Sequence, residues 1–385
     1  MNPRKIPPLK PRFVERMQQL LPDESDYNSY LEILKQEPVK SIRCNKLKIS
    51  PKELKEKLEA KGWKIKQPWK DYPEVMIVEG KIAHPSDSSD KTSLTKDKLI
   101  KDKLIKQSEK SSFNNFHKSA SDSEPISRAG GRERKEIKEN IIDLSPGELG
   151  RALEHLLGYY YIQELASMLP IIIMKPEQDE TILDLCASPG SKTTQTASEM
   201  FNSGTIIANE VNMGRLKILA SNLERCGVTN TIITRKDGIL LCRQLKKQGF
   251  NFNKILVDAP CSGEGTLRSS PKTYIMWNPK TIKKLSRLQI RLVESALEIL
   301  NPNGTLIYST CTHAPEENEG VVNNILEKFK GKVKLEKIKL PIKHREGITK
   351  WKDKEFSKEV KKCARIYPHD ADTEGFFIAK FRRLG

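Results

Sequence analysis

The sequence predicts an α/β protein in which a smaller α+β N-terminal domain precedes a doubly wound, mostly parallel sheet. Three observations carry this. Apolar runs at 181–187, 205–208, 231–234, 253–257, 304–309 and 375–381 alternate with helix-patterned stretches at 191–201, 213–226, 280–300 and 315–329, as in a parallel sheet covered on both faces. A glycine-bearing turn, Ser188-Pro189-Gly190-Ser191, follows the first of those runs. The first 85 residues hold shorter elements of their own, and 385 residues suffice for one full core and a smaller second one.

In order along the chain, apolar positions at 13, 14, 17, 20 and 21 predict one helical face over 11–21. Ser41-Ile42-Arg43-Cys44-Asn45 reads as a strand. Ser50 then caps a helix over 52–61, with Pro51 in its first turn, Glu53 reaching back and Gly62 ending it. Glu74-Val75-Met76-Ile77-Val78 is a second strand. From 86 to about 140 the pattern gives way to Ser, Lys, Asp and Glu, with the tandem Lys96-Asp97-Lys98-Leu99-Ile100 and Lys101-Asp102-Lys103-Leu104-Ile105. Such a segment has too little apolar surface to fold alone. The expected organisation is an N-terminal domain at 1–85, a charged insert at 86–140 and the main α/β domain at 141–385.

Composition narrows the function. A formal charge of +18 favours a polyanionic partner. Residues 328–365 hold 15 Lys and Arg against 5 Asp and Glu, which makes them the expected phosphate-facing surface. No run reaches the roughly 18 apolar residues a membrane span needs, and the start has no apolar signal core, so the expectation is a cytoplasmic protein without membrane contact. Seven cysteines without a C-x-x-C pair, and scattered histidines, argue against a disulfide framework and against a metal site.

Beyond the strand at 181–187 the backbone must turn sharply where a ligand approaches. Pro189 fixes φ, Gly190 removes the Cβ, and the helix starting near Ser191 aims its first N–H groups at the same place. One glycine rather than a G-x-G-x-x-G series favours a single nucleoside over a dinucleotide. S-adenosylmethionine fits, because it has no phosphate and its carboxylate suits helix-terminal N–H groups or Lys192. Glu210 ends the next strand and offers two oxygens to a ribose diol. Asp237, after the third, is placed to accept from an adenine amino group. Cys186 reads as a small buried hydrophobe whose backbone lines the pocket.

Two further strand ends carry cysteines: Asp258-Ala259-Pro260-Cys261-Ser262-Gly263 and Tyr308-Ser309-Thr310-Cys311-Thr312. Either thiol alone reads as packing; two in polar turns on one sheet rim point to thiol chemistry beside the cofactor. A redox pair is the rival reading, without a C-x-x-C to support it.

These motifs, in order, resemble those of the Sun-type (NSUN, RsmB-like) RNA cytosine-5 methyltransferases. The resemblance runs through Leu183-Asp184-Leu185-Cys186-Ala187-Ser188-Pro189-Gly190-Ser191-Lys192-Thr193-Thr194-Gln195, both cysteine motifs, Pro315-Glu316-Glu317-Asn318-Glu319, Gly158-Tyr159-Tyr160-Tyr161-Ile162-Gln163-Glu164 and Gly375-Phe376-Phe377-Ile378-Ala379. It covers nearly all of 150–385, plus 41–45. It implies a Rossmann-like class I methyltransferase sheet, S-adenosylmethionine as cofactor, and methylation of cytosine carbon 5 through a covalent bond from cysteine to carbon 6.

By the same resemblance Cys311 is the nucleophile and Cys261 the release residue, an assignment that spacing leaves open. Asp258 contacts the base. Cys186, Ala187, Ser188, Pro189, Gly190, Ser191 and Lys192 surround the methionine part of the cofactor, Glu210 holds the ribose with support from Arg215, and Asp237 and Asp258 complete the site. Glu210 stands where the family usually has Asp, and Ser188 where it has Ala. The Tyr-Tyr-Tyr-Ile-Gln-Glu run and the terminal Gly-Phe-Phe segment lie nearest the archaeal and eukaryotic tRNA-modifying branch, so tRNA is the expected substrate of a monomeric enzyme. The alternatives are an rRNA methyltransferase and a non-catalytic RNA-binding or ribosome-assembly factor on the same fold.

Overall fold

The computed structural model describes residues 7–82 and 141–385; the charged insert expected at 86–140 lies outside them. Five strands form the N-terminal sheet: β1 (Ser41–Cys44), β2 (Trp63–Lys66), β3 (Val75–Ile82), β4 (Ile141–Ile142) and β5 (Tyr160–Ile162), in the order β2-β3-β1-β5 with β4 on β3. The helix Pro51–Glu59 packs on this sheet. Its capping box is complete, with Ser50 and Glu53 each satisfying the other's backbone.

The main sheet has nine strands: β6 (Thr181–Asp184), β7 (Thr205–Asn209), β8 (Thr231–Thr234), β9 (Phe252–Asp258), β10 (Leu300–Thr310), β11 (Val333–Leu335), β12 (Arg345–Glu346), β15 (Ala364–Ile366) and β16 (Phe376–Arg383). A separate small hairpin joins β13 (Lys350–Trp351) to β14 (Lys354–Glu355). The order of the main sheet is β12-β15-β16-β10-β9-β6-β7-β8, with β11 on β16. β6 to β10 pair in parallel, as expected. The chain steps from β6 outward to β8, then returns to add β9 and β10 on the other side of β6. The order therefore reverses between β6 and β9, and a crevice opens beyond their carboxyl ends.

Alternation along the strands builds two cores. Leu183, Ile255, Val257, Leu306 and Tyr308 face the helices Gly238–Lys247, Pro279–Leu297 and Glu319–Lys328. Ile182, Ile206, Leu256 and Ile307 face the helix Leu165–Met174 on the other side. That helix is apolar all round and correspondingly buried.

Three expectations need correction. The run at 375–381 is a strand, but β16 lies antiparallel to β10 and β15 antiparallel to β16; an apolar run does not encode strand direction. The first parallel strand stops at Asp184, so Leu185 and Cys186 already belong to the turn. The boundary at 141 does not divide the sheets, because 141–142 and 160–162 complete the N-terminal sheet. Conversely, the helices Pro11–Leu20 and Glu24–Leu34 pack against Leu267, Tyr274, Trp277, Ala314 and Tyr367 of the main domain.

Candidate active site

The two cysteine turns meet. β9 and β10 are parallel neighbours with Ser309 opposite Asp258, so Cys261 and Cys311 lie three and two residues past one shared rung. Their sulfurs are 3.2 Å apart. Each turn is tied to the other on either side of the thiols: the Ala259 amide donates to Ser309 O at 3.0 Å, the Gly265 amide to Cys311 O at 3.0 Å, and the Ser262 and Thr312 hydroxyls lie 2.8 Å apart. Gly265 is required here, because a Cβ would stand 2.2 Å from Gly375 O. The hydrogen bond to Cys311, together with burial, pushes the Cys261 thiol pKa well up.

The Pro315–Glu319 run braces this corner, a role its sequence did not announce. Glu317 accepts from the Ser262 amide at 3.0 Å and from Gln289 Nε2 at 2.8 Å. Asn318 accepts from Thr310 Oγ1 at 2.6 Å and donates to Thr312 O at 2.9 Å. Glu316 pairs with Arg16 at 2.8 Å, and buried Glu319 with Arg365 at 3.2 Å. Burial raises the Glu317 carboxyl to about 7.

Asp258 ends β9 facing the same corner. Its Oδ2 takes Lys192 Nζ at 2.7 Å and its Oδ1 takes Ser309 Oγ at 2.7 Å, while Lys192 also donates to Ser167 Oγ at 2.9 Å. Lys192, Asp258 and Cys311 line a cleft of about 440 Å³ together with Gln163, Glu164 and Phe376. Residues 38–41 of the N-terminal unit also line it. Glu164 closes the floor by accepting from the Ser167 and Glu374 amides at 3.0 and 2.9 Å.

The glycine turn stands beside this cleft. Gly190 has φ of +102°, a conformation that favours glycine, and leads directly into the helix Ser191–Glu199. The first amides of that helix have no partner within it, since the Thr194 amide makes the first return bond, to Gly190 O at 2.8 Å. Arg43, from β1 of the N-terminal sheet, is fully buried and donates to Ser191 O at 2.7 Å, to Thr194 Oγ1 at 2.8 Å and to Gln163 Oε1. Burial lowers its pKa to about 10. β1 thus fixes the start of the helix that bounds the turn.

Glu210, buried just past β7, accepts from the Asn212 amide at 2.8 Å, and Arg215 lies 3.5 Å from its Oε2. Arg215 also donates to Ser188 O at 2.6 Å, and Ser188 Oγ to Arg215 O at 2.9 Å, so the acid and the turn are locked together. Asp237 caps the helix Gly238–Lys247 by accepting from the Ile239 and Leu240 amides through Oδ1. Cys186 packs against the core, and burial raises its thiol pKa strongly. These groups fit S-adenosylmethionine: helix-start amides for its carboxylate, the Asp258 and Glu210 carboxylates for its cationic and hydroxyl groups, and, among the described residues, no basic cluster at the turn that would call for phosphate.

The basic stretch 328–365 is not one face. β11 pairs with residues 381–383 at the amino end of the parallel strands, away from the cysteines, whereas β12 and β15 lie toward the carboxyl end. Arg345 and Arg365 are spent on Asp26, Asp370 and Glu319. Charge counted along the chain does not survive the path of the chain around the sheet. Among the described residues no helix is long and apolar enough to cross a membrane, and no group of three or more His, Cys, Asp or Glu is gathered as for a metal ion.

The doubly wound sheet and the nucleoside-suited crevice at its switch point are those of a class I methyltransferase fold, and the match to a known family of methyltransferases makes S-adenosylmethionine the cofactor. The model of the 16S rRNA methyltransferase RsmB/F family matches residues 171–382, and that of the N-terminal domain of 16S rRNA methyltransferase RsmF matches residues 9–72. The chain belongs to the RsmB/F family.

A tRNA (cytosine(49)-C(5))-methyltransferase of Pyrococcus abyssi is 44% identical over 234 residues, 61% of this chain and 73% of that protein. Ribosomal RNA small subunit methyltransferase F of Erwinia tasmaniensis is 32% identical over 377 residues, 97% of this chain but 63% of that protein. The chain thus spans less than two thirds of that relative's length. The crystal structure of NSun6 from Pyrococcus horikoshii with SFG superposes with a TM-score of 0.70 at 25% identity, covering 98% of both chains. A methyltransferase homolog protein from the same organism gives 0.67 at 28%, covering 98% of this chain and all of the other.

Proposed function

We propose that this protein methylates carbon 5 of a cytosine in RNA, with tRNA as the substrate. The observation that carries the reading is the thiol pair, 3.2 Å apart at a cleft that also holds the Lys192–Asp258 pair. Carbon 5 of cytosine is too weak a nucleophile to take a methyl group unaided. A thiolate at Cys311 adds to carbon 6, and the electron density it supplies makes carbon 5 reactive. S-adenosylmethionine, when bound, supplies an electrophilic methyl on its sulfonium. Asp258, held by Lys192 and Ser309, contacts the N3 and amino edge of the base by accepting from its amino group, and the Lys192 ammonium beside it offsets the negative charge that develops on the ring. Cys261 assists the loss of the carbon 5 proton and the departure of Cys311, which restores the ring. The target base leaves its stack to enter the cleft, and the N-terminal unit that walls it grips the neighbouring phosphates in a cytoplasmic, monomeric enzyme.

Cys311→Ala is expected to abolish methyl transfer without forming an adduct. Cys261→Ala is expected to accumulate a protein–RNA adduct that survives denaturing electrophoresis. Equal, adduct-free inactivity of both variants would refute the division of labour.

A second reading, 16S rRNA as substrate, is favoured by the match of residues 9–72 to the RsmF N-terminal domain. The 44% identity to a tRNA enzyme favours the first. Bisulfite sequencing of total RNA with and without the protein separates them by the class of RNA in which a protected cytosine is lost.

A further inference from the structure

We propose that Cys261 and Cys311 form a reversible modification site, at which a hydroperoxide converts the two thiols into a disulfide. The sulfurs stand at 3.2 Å and need to approach by little more than an ångström to reach a bond of about 2.05 Å. The turns that carry them are already cross-tied through Ala259, Gly265 and the Ser262–Thr312 hydroxyls, so both thiols are held facing one another before any oxidant arrives. Cys311 lines the open cleft, where a small solute meets it, and Cys261, also only partly buried, faces it as the resolving thiol.

The other cysteines do not compete. Cys44, Cys226, Cys242 and Cys363 are buried, and Cys186 packs into the core behind the glycine turn.

The chemistry balances in two steps. The Cys311 thiolate attacks the peroxide; an S–O bond forms, the O–O bond breaks, the sulfur is oxidised by two electrons, and the peroxide's other oxygen leaves as hydroxide or alkoxide. The Cys261 sulfur then attacks the Cys311 sulfenic acid. The S–S bond forms, the S–O bond breaks, and hydroxide departs with the proton of Cys261 as water. A dithiol reductant reverses the change. The bridge removes both thiols from the cleft at once and protects Cys311 from oxidation beyond the sulfenic acid, which is irreversible for most proteins.

The test is thiol accounting on the intact chain. Hydrogen peroxide at limiting dose should lower the seven titratable thiols to five. Non-reducing peptide mapping should find Cys261 joined to Cys311, and dithiothreitol should restore all seven thiols. In Cys261→Ser the same dose should instead leave Cys311 as a sulfenic acid that dimedone traps, and a further equivalent of peroxide should drive it to the sulfinic acid, which dithiothreitol does not reverse. A wild-type chain that accumulates sulfinic acid at Cys311 while Cys261 stays free, or that bridges other cysteines, overturns the proposal. Mass and thiol count do not depend on methyl transfer, so this test can fail or succeed separately from the proposed activity.

Discussion

Asp184 carries a pH dependence of stability that one substitution isolates. The carboxyl is buried at the end of β6, accepts from Thr193 Oγ1 at 2.7 Å, and leaves Oδ1 without a partner. Burial, with the nearby Asp258 carboxylate adding to it, raises its pKa to about 7. In the unfolded chain an aspartate titrates near about 3.9. Between those values the folded protein keeps a proton that the unfolded chain has released, so the group's contribution to stability is full below about 4 and is lost as pH rises to about 7. At 1.36 kcal/mol for each tenfold difference in proton affinity the whole loss is about 4 kcal/mol, of which about 3 falls between pH 5 and pH 8. Asp184→Asn keeps the size and removes the titration. Urea unfolding at those two pH values should show that the variant loses about 3 kcal/mol less than the wild type. Glu164 and Glu317, also raised to about 7 by burial, persist in the variant and keep part of the slope in both proteins. Equal pH dependence in variant and wild type would mean that Asp184 is ionised in the fold and that the desolvation argument is wrong.

Substitutions at two other positions probe the cofactor crevice. Arg43→Met removes the fork that joins β1 to Ser191 and Thr194. With charged hydrogen bonds contributing about 1.5–3 kcal/mol each, it should cost about 3 kcal/mol in urea unfolding. It should also weaken S-adenosylhomocysteine binding by calorimetry about tenfold; undiminished binding by the folded variant would show that β1 does not set the turn. Glu210→Ala should weaken the same ligand by at least about tenfold, whereas Glu210→Asp, the side chain usual in the family, should bind within a few-fold of wild type. Undiminished binding by Glu210→Ala would place the ribose elsewhere.

What the sequence revealed and what it hid divide along a physical line. Local periodicity marked the parallel strands, because each is an apolar run flanked by turn residues, and it marked the Ser50 capping box, whose partners lie three residues apart. The helix Leu165–Met174 escaped for the opposite reason: it is buried on every side, so no polar face gives it a period. Non-local pairing was illegible. Nothing in Ile141-Ile142 or Tyr160-Tyr161-Ile162 says that they complete a sheet begun a hundred residues earlier, and nothing in 328–365 says that the chain carries its lysines from one end of the main sheet toward the other. Ser309 and Ser167 likewise look ordinary until strand register and helix packing set them against Asp258 and Lys192.

The thiol pair is the instructive exception, a non-local contact that could be read. Two parallel neighbours in register bring the turns that follow a shared rung to the same place, and Asp258 and Ser309 are such a rung, with Cys261 three residues past it and Cys311 two. Recognising both motifs as strand ends therefore placed Cys261 beside Cys311, although 49 residues separate them. Register alone does not tell the two thiols apart. Their surroundings do, since Cys311 lines the cleft where Lys192 holds the Asp258 carboxylate.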